Sequence, residues 1–387
     1  MPSVSELLER ESATVGLEPG DFERLVRRRD RKRRNQRIGA GALAVILALV
    51  SFVALTRAFR TTERPADETP MPKPPGIFSE VGGWIVYGTQ QGVYGNPQGI
   101  WAVDPSQPHD PGSRIHLSTK KGTPLAWSSD GAKLLILGYT GDPMMGEPFR
   151  LFVLNADGAE TYLTTSEQYV LGGGWLSPDI GGSFSPDGSE VIYASKSSIY
   201  VVDAQGGTPR VLQTASRRWF SVNGRRVRAL PYNPTYSPDG TQIAYFDGAG
   251  DSREGIVHQL RVMNADGSST RILVDDLKAD RIYNLAWSPD GERLAFGLGS
   301  KGIYIVGADG SGLRLVIPGG RYPYWSPDGS RISFQGSWGR TQPRPPPMIA
   351  DADGTHVVEF DYGGSGPWNP LVQPEPPVAE VPAASNG

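Results

Sequence analysis

The sequence predicts an all-β protein, a six-bladed β-propeller of four-stranded antiparallel blades preceded by one transmembrane helix. Three observations lead there. A short turn motif recurs at intervals of about one blade, each copy is followed by short alternating strands, and one uncharged apolar run stands near the amino terminus behind a basic cluster.

The motif appears as WSSDG at Trp127–Gly131, FSPDG at Phe184–Gly188, YSPDG at Tyr236–Gly240, and WSPDG at Trp287–Gly291 and Trp325–Gly329. A degenerate first copy begins at Phe78, and a truncated last copy, Trp368-Asn369-Pro370, closes the series. Successive copies are 49, 57, 52, 51, 38 and 43 residues apart, against about 40–45 residues for one propeller blade. After each motif come runs such as QIAYF (242–246), then LRVMNADG (260–267), then TRIL (270–273), with a period of two and Asp-Gly turns between them. Within S-P-D-G, proline presets φ, aspartate bonds a backbone N–H two residues on, and glycine supplies the positive φ that re-enters the next strand. Asp130, Asp187, Asp239, Asp290 and Asp328 therefore read as turn-formers rather than as a catalytic carboxylate cluster. The aromatic ahead of each turn reads as the residue filling the wedge between blades.

These copies resemble the repeats of the TolB-type propellers, a WD40-like (PD40-type) family, over about residues 76–370. The resemblance implies six blades and a protein-interaction or ligand-binding platform. Nothing in the chain matches that family's amino-terminal domain, and an anchor stands in its place.

Composition agrees with many short strands joined by tight turns: 49 Gly and 34 Pro stand beside 9 Trp, 15 Tyr and 12 Phe. Cysteine is absent, which excludes disulfides, thiolate metal sites, a Cys nucleophile and a lipid-modified cysteine. Residues 1–37 carry ten Lys/Arg against seven Asp/Glu, whereas the rest of the chain is net acidic, which argues against nucleic acid as a partner.

Ile38–Leu55 is an eighteen-residue run without a charge, near the lower limit for spanning a bilayer. Arg24–Arg37 hold nine Lys/Arg and one acid, so the amino terminus should stay cytoplasmic and the bulk should lie outside, at the cell membrane. A cleaved signal peptide and a buried helix are the competing readings. The segment before the run also resembles juxtamembrane segments of single-span proteins of high-G+C bacteria, which implies topology and no activity. The expected organisation is a basic cytoplasmic tail (1–37), a transmembrane helix (38–56), a Pro-rich linker (57–75), the propeller (76–370) and a disordered Pro-rich tail (371–387).

In a four-stranded meander the S-P-D-G and N-A-D-G turns share one end of each blade. Insertions at 88–99, 139–149, 165–183, 214–235, 247–258 and 335–347 then gather on the opposite face, the expected binding surface. The candidate ligand site there is Ala215–Tyr232, where Arg217, Arg218, Arg225, Arg226 and Arg228 accompany Trp219 and Phe220. Guanidiniums and aromatics together suit a carboxylate, phosphate or acidic glycan. The alternative is a hairpin turning at Asn223-Gly224 with solvated arginines. Asp247, Asp251 and Glu254 offer oxygen ligands without the spacing of a calcium loop, so an ordinary polar loop is expected there. His109, His116, His258 and His356 are scattered without metal spacing. No catalytic motif, metal or cofactor is expected: no G-x-S-x-G elbow follows the propeller, and S-P-D-G is too short for the sialidase box. The expected function is a membrane-anchored extracytoplasmic sensor or scaffold with a protein or glycan partner on the long-loop face. The alternative is a propeller enzyme, hydrolase or lyase, with a channel-rim active site.

Overall fold

The structure, a computed structural model, describes residues 76–89, 98–110, 112–139, 149–164, 181–195, 197–214, 219–222, 225–251, 255–336, 346–360 and 365–371. The basic tail, the expected span at 38–56, the linker and the tail beyond 371 lie outside the described residues. Among the described residues no helix is long and apolar enough to cross a membrane.

Six antiparallel blades follow one another along the chain. Blade one holds Ile85–Thr89, Gly99–Val103 and Arg114–Ser118. Blade two holds Gly122–Trp127, Lys133–Tyr139, Phe149–Asn155 and Glu160–Tyr162. Blade three holds Gly182–Phe184, Glu190–Ser195, Ser198–Asp203 and Arg210–Thr214. Blade four holds Leu230–Tyr236, Gln242–Asp251, Gly255–Asn264 and Arg271–Lys278. Blade five holds Ile282–Trp287, Arg293–Leu298, Gly302–Gly307 and Arg314–Pro318, and blade six Arg321–Trp325, Arg331–Gln335, Pro347–Asp351 and Val358–Glu359. In blades two to six the order in the sheet is the order in the chain, so each connection is a local hairpin.

The repeat grammar names the strands after each motif; the innermost strand lies just ahead of it and ends on its aromatic residue. In four blades this strand is interrupted by a bulge, at Pro124/Ala126, Tyr232/Thr235, Tyr283/Leu285 and Arg321/Tyr324. The extra residue takes a left-handed backbone at Asn233 (φ 50°), Asn284 (φ 48°) and Tyr322 (φ 52°).

The second and third strands are apolar on both faces because a blade is covered on both sides by its neighbours. Alternation sends Leu134, Ile136 and Phe152 of blade two toward Val86 and Ile100 of blade one, while Leu135, Leu137 and Leu151 meet Val191 and Tyr193 of blade three. Ile192 and Val201 then pack on Ile243 and Tyr245, Phe246 and Leu260 on Leu294 and Phe296, and Ala295 and Ile305 on Ile332 and Phe334. The last seam joins Ile349 and Phe360 of blade six to Ile85 and Tyr87 of blade one. That sixth cluster closes the ring. The core is thus six radial seams rather than one central mass.

Closure uses the truncated last copy. Pro367 O accepts Val86 N–H (3.1 Å), Ile85 and Trp368 form an antiparallel bridge, and Asn369 N–H donates to Trp84 O (2.8 Å). The last bond repeats the one from Ser128 to Lys133 O (2.9 Å), one residue after the aromatic to six residues after it. Blade one therefore takes its innermost strand from the far end of the chain.

Two expected insertions are regular structure instead. The stretch 247–258, expected to be a polar loop, continues the central hairpin of blade four, paired from Gln242↔Asn264 to Asp251↔Gly255. Small residues permit it: a side chain at Gly248 would collide with the His258 ring and with Tyr232. Part of 214–235 is likewise a hairpin, Trp219–Val222 with Arg225–Arg228, and Leu230 already begins blade four.

Candidate functional site: the channel mouth

The site is built from the repeat turns. In all five, the serine hydroxyl donates to the aspartate Oδ1, from Ser128 to Asp130, Ser185 to Asp187, Ser237 to Asp239, Ser288 to Asp290 and Ser326 to Asp328 (2.5–2.6 Å). The same Oδ1 accepts the backbone N–H two residues on, as from Ala132 (3.0 Å) and Glu292 (2.9 Å). The serine oxygen in turn accepts the N–H five residues on, as from Gln242 (2.9 Å). Each glycine of the motif has φ between 63° and 71°. The Ser185 hydroxyl and the Ser189 backbone hold the Asp187 carboxyl down at about 2, so it is charged at any physiological pH. Its stabilisation is complete above the usual value of 3.8 and is lost as pH falls through about 2.

These rigid turns present their prolines to the axis. A cavity of about 400 Å³ runs along the inner strands to this end, walled by the six repeat aromatics and by Pro186, Pro238, Pro289, Pro327 and Pro370. The aromatics also knit the blades: Trp287 Nε1 donates to Thr235 O (3.4 Å) and Trp325 Nε1 to Ala286 O (3.2 Å), each reaching the preceding inner strand. Polar cross-links at the bulges do the same, with Gly181 N–H donating to Asn233 Oδ1 (2.7 Å) and Asn284 Nδ2 to Pro323 O (2.7 Å). The described wall has no charged side chain. Its phenols stay neutral, since burial pushes Tyr236 up to about 12 and Tyr324 up as well. The five turn aspartates, all exposed, stand beside the prolines as an acidic rim. A neutral aromatic funnel inside a ring of carboxylates suits an uncharged apolar tip flanked by cations.

Both ends of the described chain meet this face. Ile77 N–H donates to Ala156 O in the N-A-D-G turn of blade two (2.8 Å), and Leu371 lies against Gly131. The opposite face is clear of them.

On that opposite face the arginine segment pairs Trp219↔Arg228, Phe220↔Val227, Ser221↔Arg226 and Val222↔Arg225, alongside the second and third strands of blade four. Arg217, Arg218, Asn223 and Gly224 lie outside the described residues, as do most of the expected loops at 88–99, 139–149, 165–183 and 335–347. Asp247 is not available to a calcium ion: it is buried against Arg261, Oδ2 to Nε at 3.0 Å. Glu254 lies outside the described residues. Among the described residues no group of three or more His, Cys, Asp or Glu is placed to hold a metal ion.

His258 is buried between the Tyr232 hydroxyl (Nδ1, 2.6 Å) and the Ala279 carbonyl (Nε2, 3.2 Å). Burial lowers it from the usual 6.5 to about 4. The unfolded chain therefore binds the proton first, so stability is full above about 6.5 and falls as pH drops toward about 4. The expected loss across that window is on the order of 3 kcal/mol. Denaturant midpoints measured against pH should show this slope in the wild type and a flattened one in His258→Gln.

No family model matches the chain. An uncharacterised protein of Agrobacterium fabrum is 29% identical over 205 residues, covering 48% of this chain and 62% of that protein. The Tol-Pal system protein TolB of Anaeromyxobacter dehalogenans is 36% identical over 133 residues, covering 34% of this chain and 25% of that protein. The repeats are thus similar to those of a TolB protein. The chain matches less than two thirds of the length of either relative. Among solved structures, an oligogalacturonate lyase in complex with manganese matches with a TM-score of 0.42 and 17% identity, over 61% of this chain and 63% of that one. The Cps50 (Swd1) propeller of Myceliophteria thermophila matches with a TM-score of 0.42 and 13% identity, over 71% and 84%. At these scores neither bears on function.

What the sequence reading missed is the funnel. Its signal lay in the strands ahead of the motif, where TPLAW, YNPTY, YNLAW and RYPYW place proline or asparagine three residues before the aromatic, or next to that position.

Proposed function

We propose that the chain is a binding module, a sensor or scaffold, whose propeller is displayed outside the cytoplasm on a single-span anchor at 38–56 and receives a protein partner at the channel mouth. The observation that carries this is the uncharged aromatic and proline funnel of about 400 Å³ inside an acidic rim. The partner segment is apolar at its tip, aromatic or proline-bearing, with Lys or Arg around it. Similarity to a protein of the Tol-Pal system supports a role in an assembly. The eighteen uncharged residues behind nine basic ones support the anchor and its orientation.

The test is a photoreactive residue at Leu125, in the funnel wall, against one at Tyr162, on the outer edge of blade two, in intact membranes. A discrete protein adduct from Leu125, weakened by raised salt and by the triple change Asp239→Asn, Asp290→Asn and Asp328→Asn, is expected. Adducts that form equally from Tyr162, or none from Leu125, would overturn the reading.

A further inference from the structure

In the wall of the channel mouth the buried side-chain atoms left without a partner are all hydrogen-bond donors. Two repeat tryptophans reach back to the residue just ahead of the preceding aromatic, Trp287 Nε1 to Thr235 O (3.4 Å) and Trp325 Nε1 to Ala286 O (3.2 Å). The same step would take Trp127 to Pro367 O, but that carbonyl accepts Val86 N–H (3.1 Å) where the ring closes. Trp127 Nε1, and Trp368 Nε1 on the closing strand itself, are buried and have no hydrogen-bond partner among the described residues.

A third such donor stands at the bulges. Asn284 gives its Nδ2 to Pro323 O on the next blade (2.7 Å). Asn233, three residues ahead of its aromatic like Asn284, has Nδ2 buried and without a partner. Its Oδ1 already accepts Gly181 N–H (2.7 Å), and the residue is 2% exposed. Trp127, Asn233 and Trp368 all line the cavity of about 400 Å³. Among its described lining residues no buried side-chain acceptor is left without a partner. Buried donors are nearly always paired, so this wall calls for a ligand that brings acceptors and no donors of its own.

We propose that the partner segment is a run of prolines in the extended polyproline II form, whose carbonyl oxygens accept the N–H groups of Trp127, Asn233 and Trp368. Proline is the one residue with a backbone acceptor and no backbone donor, and a proline run holds its shape before it binds. An ordinary peptide or a neutral sugar brings N–H or O–H groups that find no unpartnered buried side-chain acceptor here, and the acidic rim turns a carboxylate away. Proline rings also pack on aromatic walls. A flanking Lys or Arg meets Asp239 or Asp328, which bond to hydroxyl and backbone N–H groups and hold no cation among the described residues, whereas Asp290 is shared with Arg293 (3.4 Å). This inference rests on the channel mouth being the binding end.

The experiment uses the full chain in detergent and ligand-observed NMR with a capped peptide of prolines between two lysines, its twin with alanines in place of the prolines, and cellobiose. The proline peptide should bind at least about tenfold more tightly than its twin, the scale of a few neutral hydrogen bonds net of water. Replacing Trp127 by 3-benzothienylalanine, which keeps the shape and lacks the N–H, should weaken the proline peptide about fivefold, the scale of one such bond, and leave the urea midpoint unchanged. The same replacement at Trp287, whose N–H is already used inside the protein, should lower the midpoint and leave binding unchanged. Equal binding of the two peptides, tighter binding of cellobiose, or unchanged affinity on replacing Trp127 would overturn the proposal. If the proline preference is missing while the Leu125 adduct persists, this inference alone falls; if both are missing, the channel mouth falls with it.

Discussion

Replacing Trp368 by Ala should lower the stability of the whole propeller by about 3–5 kcal/mol, the usual cost of removing a packed tryptophan. The effect is expected to be global because Trp368 supports the only seam whose two sides come from opposite ends of the described chain, Ile349 and Phe360 against Ile85, Tyr87 and Val103. A chain ending at Gly364 should fare worse. It would lose the bridge to Ile85 and the bonds at Val86 and Trp84, leaving blade one without an inner strand. Such a loss rivals the ~5–15 kcal/mol that holds an ordinary domain folded. Urea unfolding followed by circular dichroism is the check. A single cooperative transition at lower midpoint is expected for Trp368→Ala, and no native transition for the truncation. A truncated chain that unfolds like the wild type would refute closure by this strand.

The second large effect is at Asp247. Its pair with Arg261 is withdrawn from water on both sides, at 5% and 11% side-chain exposure, and Arg261 is held further by Gln259 Oε1. Asp247→Ala leaves a guanidinium buried without its carboxylate and should cost about 3–5 kcal/mol. The double change Asp247→Ala with Arg261→Met should recover most of that, because the pair's own attraction largely offsets its desolvation. Denaturant midpoints for the two singles and the double decide it. If the double is as unstable as the single, the charge is not what the site requires.

The architecture was legible because its signal is local and repeated. Each S-P-D-G copy forms its own turn through Ser, Asp and Gly, so five copies announce five blades before any long-range contact is known. The radial seams were not read in the same way: the sequence reading stopped at strands of period two, whereas Leu134–Leu137 is apolar at four consecutive positions because that strand is covered on both faces. The channel mouth was not legible, because its wall is assembled from residues about fifty positions apart that meet only when the ring closes. The stretch 247–258 misled for a different reason. Gly248, Ala249 and Gly250 have the composition of a loop, and only the demand of His258 and Tyr232 for space shows why small residues stand in a strand.

The closing bridge also sets a clock. Ile85 and Trp368 are about 280 residues apart, so at a synthesis rate of ~5–20 residues per second the first blade waits roughly 15 to 60 s for its fourth strand to be made. During that interval the edge of Ile85–Thr89 has no partner and the seam that Ile349 will fill stands open. Blades two to six can each form as they emerge, but the ring can close only once Pro367–Asn369 have been made. A nascent propeller of this design is therefore an open arc, most exposed to wrong pairing just before its closing strand arrives.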